Sequence, residues 1–246
     1  HQYCFWNPFF KRVLFLMHGN GFRFIVYYIQ GMEGKEKRLF MCGRYYADDE
    51  TAREIEKVIR QVNEKLKKTA GKENNIMLQG RDIHPTESAP VLTVSDYGVD
   101  WRFQRWGFPK QQYGMKGKQV IFNARSEAAL EKKMFRESVE KRRIVIPASW
   151  FYEWNQNKEK NIFYRKDQPT LFMAGFYNVY GNEEYFVILT TQANESVKPV
   201  HDRMPLVLER EEIVSWLSEP DKIQAFLHKI PCLLERKTEF EQMSLF

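Results

Sequence analysis

Four short segments of this 246-residue chain combine residue types able to move protons or attack a carbonyl. The first is Met41-Cys42-Gly43-Arg44-Tyr45-Tyr46. A small residue after a methionine is a substrate for removal of that Met, which would leave Cys42 with a free α-amine. Such a cysteine carries an amine with a pKa near ~8 next to a thiol with a pKa near ~8.5, so both have a reactive fraction at neutral pH. A 1,2-aminothiol condenses with an aldehyde to an imine, and the thiol then closes a five-membered thiazolidine. Gly43 would let the backbone approach a bulky substrate closely. The competing reading is a buried Cys42 that packs as a small apolar side chain.

The second segment is Phe122-Asn123-Ala124-Arg125-Ser126-Glu127. Asn123 can orient a sugar or an amine as donor and acceptor, and Arg125 can hold a phosphate bidentately. Its plainer reading is a strand-to-helix turn capped by Asn123 or Ser126. The third, Pro147-Ala148-Ser149-Trp150-Phe151-Tyr152-Glu153-Trp154, sets a carboxylate among aromatic rings. Desolvation there disfavours the ionised form of Glu153 and suits a proton shuttle near neutral pH, unless the side chain faces outward from a half-exposed strand. The fourth, Pro199-Val200-His201-Asp202-Arg203-Met204-Pro205, offers His201 as an acid or base and Arg203 as a phosphate contact. A loop histidine satisfied by its neighbours is the alternative.

These segments need elements to hold them. From Asp48, apolar residues recur at Ala52, Ile55, Ile59, Val62 and Leu66, which predicts a helix with one buried face. Gly71 and the polar run 72–75 should end it. Strands are expected at residues 89–94, 101–106, 118–122, 143–146, 150–154, 162–165, 170–177 and 185–191, rich in aromatic and β-branched residues. A second helix is expected at 127–137, with Leu130 and Met134 on one side, and short helices at 211–217 and 221–227. Many short strands without regular helical crossovers argue for antiparallel pairing. The expected fold is α+β, one compact domain of twisted, mostly antiparallel sheets with flanking helices.

Residues 1–40 read differently from the rest. They carry eleven aromatic residues, and their most apolar stretch is broken by His18, Gly19, Asn20, Gly21 and Arg23, which spoils a membrane crossing of roughly 20 apolar residues. No clean signal-peptide cleavage site precedes residue 41. The expectation is an extension foreign to the native protein, arising from a start codon placed too far upstream, with Met41 the true first residue. A membrane or interfacial anchor is the rival reading. The net charge of +6 divides as +4 in residues 1–40 and +2 in the remainder, so any nucleic-acid surface must be local. Cys4, Cys42 and Cys232 form no CxxC pair, and the five histidines are scattered. That pattern fits a reducing compartment and calls for no disulfide framework, metal or cofactor.

Taken in order, the four segments resemble the SRAP family, whose members process abasic sites in DNA. The family's hallmarks are MCGR(F/Y), NAR(S/A)E, (S/G)(F/W)YEW and H(D/N)RMP. Arg105-Trp106-Gly107-Phe108-Pro109 is similar to its RWGL(I/V)P stretch, and residues 84–90 to a degenerate YN(I/V)AP loop lacking the Tyr-Asn pair. The resemblance runs from Met41 to about Trp216. It implies a DNA–protein crosslinking enzyme, active in DNA repair and the SOS response, that binds single-stranded DNA containing abasic sites. Cys42 would be the crosslinking nucleophile, Asn123 would position the opened sugar, and Glu153 and His201 would move protons. Arg44, Trp106, Arg125 and Arg203 would line the DNA path. The expected protein is a monomer of the cytoplasm, associated with the nucleoid and not secreted, without membrane contact. Two rivals stand beside this reading. One is a self-processing N-terminal-nucleophile cysteine peptidase that cleaves its own leader before Cys42. The other is a non-catalytic single-strand binding module using Trp106, Trp150 and Trp154 for stacking.

Overall fold

A computed structural model of the protein describes residues 43–68, 78–110 and 120–239. Residues 1–40, Met41, Cys42, the helix stop expected at residues 71–75 and the first two residues of the strand expected at 118–122 lie outside the described residues. In chain order the strands are β1 (Tyr45–Ala47), β2 (Arg81–Ile83), β3 (Ser88–Ser95), β4 (Gly98–Trp106), β5 (Phe108–Pro109), β6 (Val120–Ile121), β7 (Asn123–Arg125), β8 (Arg143–Ala148), β9 (Trp150–Trp154), β10 (Lys160–Tyr164), β11 (Leu171–Tyr180), β12 (Glu183–Gln192), β13 (Arg203–Pro205), β14 (Val207–Leu208) and β15 (Glu235–Glu239). The helices are α1 (Asp49–Leu66), α2 (Lys133–Lys141), α3 (Ile213–Ser218) and α4 (Ile223–Leu227). The fold is α+β and mostly antiparallel.

Two sheets carry it. In the larger one the pairing closes on itself: β3 pairs with β4, β4 with β12, β12 with β11, β11 with β8, and β8 returns to β3 through Leu92 opposite Val145. Four of these joints are antiparallel and one, β4 to β12, is parallel. The strands β7, β13 and β14 attach to this ring. The smaller sheet runs in the order β15-β10-β9-β1-β2. Strands buried along their whole length, such as β8 with its apolar run at residues 144–148, sit where the ring is covered on both faces.

Helix α1 begins where the sequence says it should. Asp48 accepts the Thr51 backbone N–H at 3.0 Å, and Asp49 and Glu50 occupy the electropositive first turn. Its face of Ala52, Ile55, Val58, Ile59 and Val62 is buried. Lys67, with φ 53°, ends it in the left-handed conformation. Buried Asn63 ties the helix to β4 by exchanging two hydrogen bonds with the Val99 backbone, at 2.8 and 2.7 Å. The approach is close enough that a Cβ on Gly98 would lie 2.3 Å from the Asn63 Oδ1, so only glycine fits there, at φ +127°.

The helix expected at 127–137 is displaced. Ser126–Ala128 forms a single 3-10 turn, and α2 starts only at Lys133. The reason is the buried face: Phe135, Ser138 and Val139 point inward at helical spacing, whereas Met134 is 47% exposed. No side chain caps the Ser126 turn. Buried Arg143 then joins the helical layer to the sheet, donating to the carbonyls of Val139 and Glu140 at the end of α2 and of Trp216 and Leu217 near the end of α3. A cation suits those electronegative helix ends.

Candidate active site

The chain that follows Cys42 enters the structure between two of the chemistry-bearing segments. A Cβ built on Gly43 would lie 4.0 Å from the ring of Phe122, the neighbour of Asn123. The Arg44 carbonyl accepts the backbone N–H of Tyr152, the neighbour of Glu153, at 3.1 Å. Strand β1 continues that pairing, with Tyr45 opposite Phe151. Tyr45 is fully buried, and its ring lies 5.2 Å from that of Trp106. The Trp106 indole N–H donates to the Phe122 carbonyl at 2.9 Å. One buried tryptophan therefore links the strand after Cys42 to the segment that bears Asn123.

Asn123 is half-buried on β7, which lies parallel to β12 with Asn123 opposite Ile188. Glu153 obeys the alternation of β9. Phe151 and Glu153 face inward, at 0% and 1% exposure, while Trp150 and Trp154 stay half-exposed on the other face. Glu153 is thus withdrawn from water, directly opposite Asn161 of β10. An outward-facing carboxylate on a half-exposed strand is not what the fold produces.

His201 sits just before β13, with a side chain 10% exposed. Its Nδ1 lies 3.0 Å from the Arg203 backbone N–H and also 3.0 Å from a carboxylate oxygen of Asp202, whose side chain is 85% exposed. Both contacts cannot hold at once. A bare Nδ1 accepts from Arg203, and a protonated one donates to Asp202.

The four residues expected along a DNA path fall in different places. Arg125 is exposed on β7. Arg44 is half-buried, ion-paired with Asp82 and 4.8 Å above the Tyr152 ring. Trp106 has no exposed surface, stacks on Phe186 and meets Phe122 edge-on, so its side chain positions neighbours and offers no platform to a nucleic acid. Arg203 is 7% exposed. Its guanidinium grips both oxygens of Glu127, at 2.6 and 2.8 Å, and the Thr190 carbonyl at 2.6 Å. That fork ties the loop of His201 to the segment of Asn123.

Two acids that the sequence reading gave no role complete these contacts. Burial pushes the Glu127 carboxyl upward, but hydrogen bonds from Arg203 and its charge outweigh this and hold it below its usual value. Asp82 behaves alike, with burial overcome by hydrogen bonds from Arg44 and Tyr152. Burial, reinforced by Asp82, raises the Tyr152 hydroxyl to about 12. Glu127 was visible as the last residue of the Asn123 segment. Its partner lies 76 residues on, and no local spacing announces it.

Among the described residues, no group of three or more His, Cys, Asp or Glu could hold a metal ion. No helix among them is long and apolar enough to cross a membrane.

The arrangement can be set beside known proteins. The chain is similar to the abasic site processing protein YoqW of Bacillus subtilis, with 31% identity over 207 residues, covering 76% of this chain and 86% of that protein. It is similar to the abasic site processing protein YoaM of the same organism, with 33% identity over 162 residues, covering 59% and 70% of the two chains. Its fold is like that of a protein from Bacteroides thetaiotaomicron solved by X-ray crystallography, at a TM-score of 0.63 and 22% identity, covering 81% of this chain and 93% of that one. The family profile described as SOS response associated peptidase (SRAP) matches residues 41–244, a range that contains every one of the motifs and the contacts between them. The chain belongs to the SRAP family.

Proposed function

We propose that this protein processes abasic sites, binding single-stranded DNA and joining itself covalently to the ring-opened sugar through Cys42. The observation that carries the reading is the course of the chain after Cys42, held by Gly43 and Arg44 between the segments of Asn123 and Glu153. The names of the relatives and the family match that starts at residue 41 support it. The reading requires a mature amino terminus at Cys42, with residues 1–40 no part of the working domain, and it places the protein with DNA in the cytoplasm.

The chemistry follows from the groups present. The α-amine of Cys42 adds to the C1′ aldehyde of the opened sugar. A proton delivered to the resulting hydroxyl lets it leave as water and gives the imine. The Cys42 sulfur then adds to the imine carbon, its proton passes to the nitrogen, and the thiazolidine ring closes. Glu153, buried beside this strand, and His201, whose imidazole is largely withdrawn from water, are the groups suited to those proton transfers. Asn123 orients the sugar through its amide. No metal or cofactor enters any step.

The test uses protein whose amino terminus is Cys42 and an oligonucleotide with a single abasic site. A denaturation-resistant product should appear, with a mass equal to the two partners less one water. An intact oligonucleotide should give none. Equal binding of both strands with no covalent product would leave only a binding module. N-terminal sequencing from the native host should read Cys-Gly-Arg-Tyr-Tyr, and a mature protein that retains residues before Cys42 would refute the amine mechanism.

Two variants probe the helpers. Glu153→Gln keeps shape and hydrogen bonding but removes the titrating proton. Crosslinking should slow on the order of 10²-fold without stopping, measured as the rate of adduct formation at saturating protein. An unchanged rate would remove Glu153 from the proton path. Arg125→Ala should weaken binding to an intact single strand and lower the log–log salt slope by about 0.7 if it contacts one phosphate. A wild-type slope would place the DNA path elsewhere.

A further inference from the structure

Arg203 touches the candidate site in two ways. Its backbone N–H points at His201 Nδ1 from 3.0 Å, while its guanidinium is spent inside the protein on Glu127 and the Thr190 carbonyl. Thr190 is itself the residue where β12 meets both neighbours, standing opposite Arg125 of β7 and Pro205 of β13. The side chain thus pins the first residue of β13 to the end of β7, two residues beyond Asn123. A backbone N–H fixed this way always presents a donor to Nδ1. The rival acceptor, the Asp202 carboxylate, is 85% exposed to water, where a hydrogen bond to an imidazole competes with solvent.

We propose that Glu127 is a positioning residue for His201, acting through Arg203, and that the pair holds the neutral imidazole as the tautomer with a bare Nδ1 and its proton on Nε2. Under the functional reading above, on which the catalytic part of this proposal rests, the consequence is direct. The imidazole presents Nε2–H to the departing hydroxyl as a hydrogen-bond donor, while the proton that leaves with the water comes from Glu153. Glu127 touches neither DNA nor sugar in this role. It keeps a donor aimed at the far nitrogen of the ring.

The tautomer is measurable without any reaction. In protein labelled with 15N at histidine, held well above the ordinary histidine pKa of about 6.5, the His201 resonances should show one protonated nitrogen, Nε2, and one bare nitrogen, Nδ1. Their assignment follows from their loss in His201→Gln. Asp202→Asn should leave the pattern unchanged. Glu127→Gln, which keeps the shape but discards the charge that locks the Arg203 fork, should move the resonances toward a tautomer mixture, and Glu127→Asp should restore part of the wild-type pattern. The same Glu127→Gln protein should crosslink abasic DNA roughly ten- to a hundredfold more slowly, as a misaligned hydrogen-bond donor does, while binding an intact strand as wild type does. Arg203→Lys, which keeps the charge but not the fork, should act like Glu127→Gln.

A wild-type proton on Nδ1, paired with Asp202, overturns the proposal. So does a Glu127→Gln protein with wild-type resonances and a wild-type rate, because the pair is then a structural tie only. Should the wild type form no adduct with abasic DNA at all, the functional reading fails and the catalytic role falls with it, while the resonances still decide whether Glu127 sets the imidazole.

Discussion

Cys42→Ala, in protein beginning at residue 42, is expected to lose the heat-stable adduct with abasic single-stranded DNA completely. The alanine variant keeps an α-amine and can still form an imine, but an imine without an adjacent thiol hydrolyses when the complex is denatured. Borohydride added during the reaction should trap that imine, so Cys42→Ala should yield a covalent product only with the reductant present. Cys42→Ser should behave in the same way. The pair of outcomes separates the two nucleophiles, with the amine tested by trapping and the thiol by heat stability. The rate of the wild-type reaction should rise toward pH ~8, as the amine and thiol lose their protons. Full, heat-stable product from Cys42→Ala without reductant would show that some other residue makes the bond.

Trp106→Ala should lower stability by about 3–5 kcal/mol, the range for removing a large buried aromatic. Against a typical total of about 5–15 kcal/mol for a domain, that is enough to shift the urea midpoint far or to unfold the protein outright. The side chain is fully buried, packs on Phe186, Tyr45 and Phe122, and donates to the Phe122 carbonyl. Trp106→Phe keeps most of the packing and loses the indole hydrogen bond, but the Phe122 carbonyl still accepts the Ile188 backbone N–H, so the cost is about 0.5–1.5 kcal/mol. It should also loosen the Phe122–Asn123 segment, so crosslinking should fall even where the variant remains folded. A Trp106→Ala midpoint within about 1 kcal/mol of wild type would mean that the ring does not hold these segments together.

Much of this fold is legible in the residues themselves. The 3–4 spacing from Ala52 to Val62 and the Asp48 cap specify α1, and runs such as Trp150–Trp154 are strands by composition alone. What is not legible depends on distant partners. Strand β7 is three residues long and exists because β12, more than sixty residues later, accepts its backbone, and β1 likewise depends on β9. The site divides in the same way. The motif order brings Asn123, Glu153 and His201 forward as chemistry-bearing residues, and the alternation of β9 explains the burial of Glu153. Trp106 and Arg203 carry the residue types of nucleic-acid contacts, yet Phe186 covers the one and Glu127 claims the other. Type suggests a role, and the partner across the fold decides it. That holds for Arg44 and Asp82 as well, which meet across 38 residues.

The closed ring of strands constrains how the protein can be made. Strand β12 is the last member of the ring in the chain, and it supplies the joint to β4, the joint to β11 and the seats for β7 and β13. Until Gln192 has left the ribosome, β4 and β11 each present a hydrogen-bonding edge with nothing to cover it, and the Asn123 segment has no strand to lie against. At about 5–20 residues per second, the interval between completing β4 and completing β12 lasts several seconds on the ribosome. The segment of Asn123 and the strand that follows His201 therefore find their places only when the ring shuts, whereas β1, β9 and β10 of the smaller sheet, with Glu153, are made earlier and pair without β12.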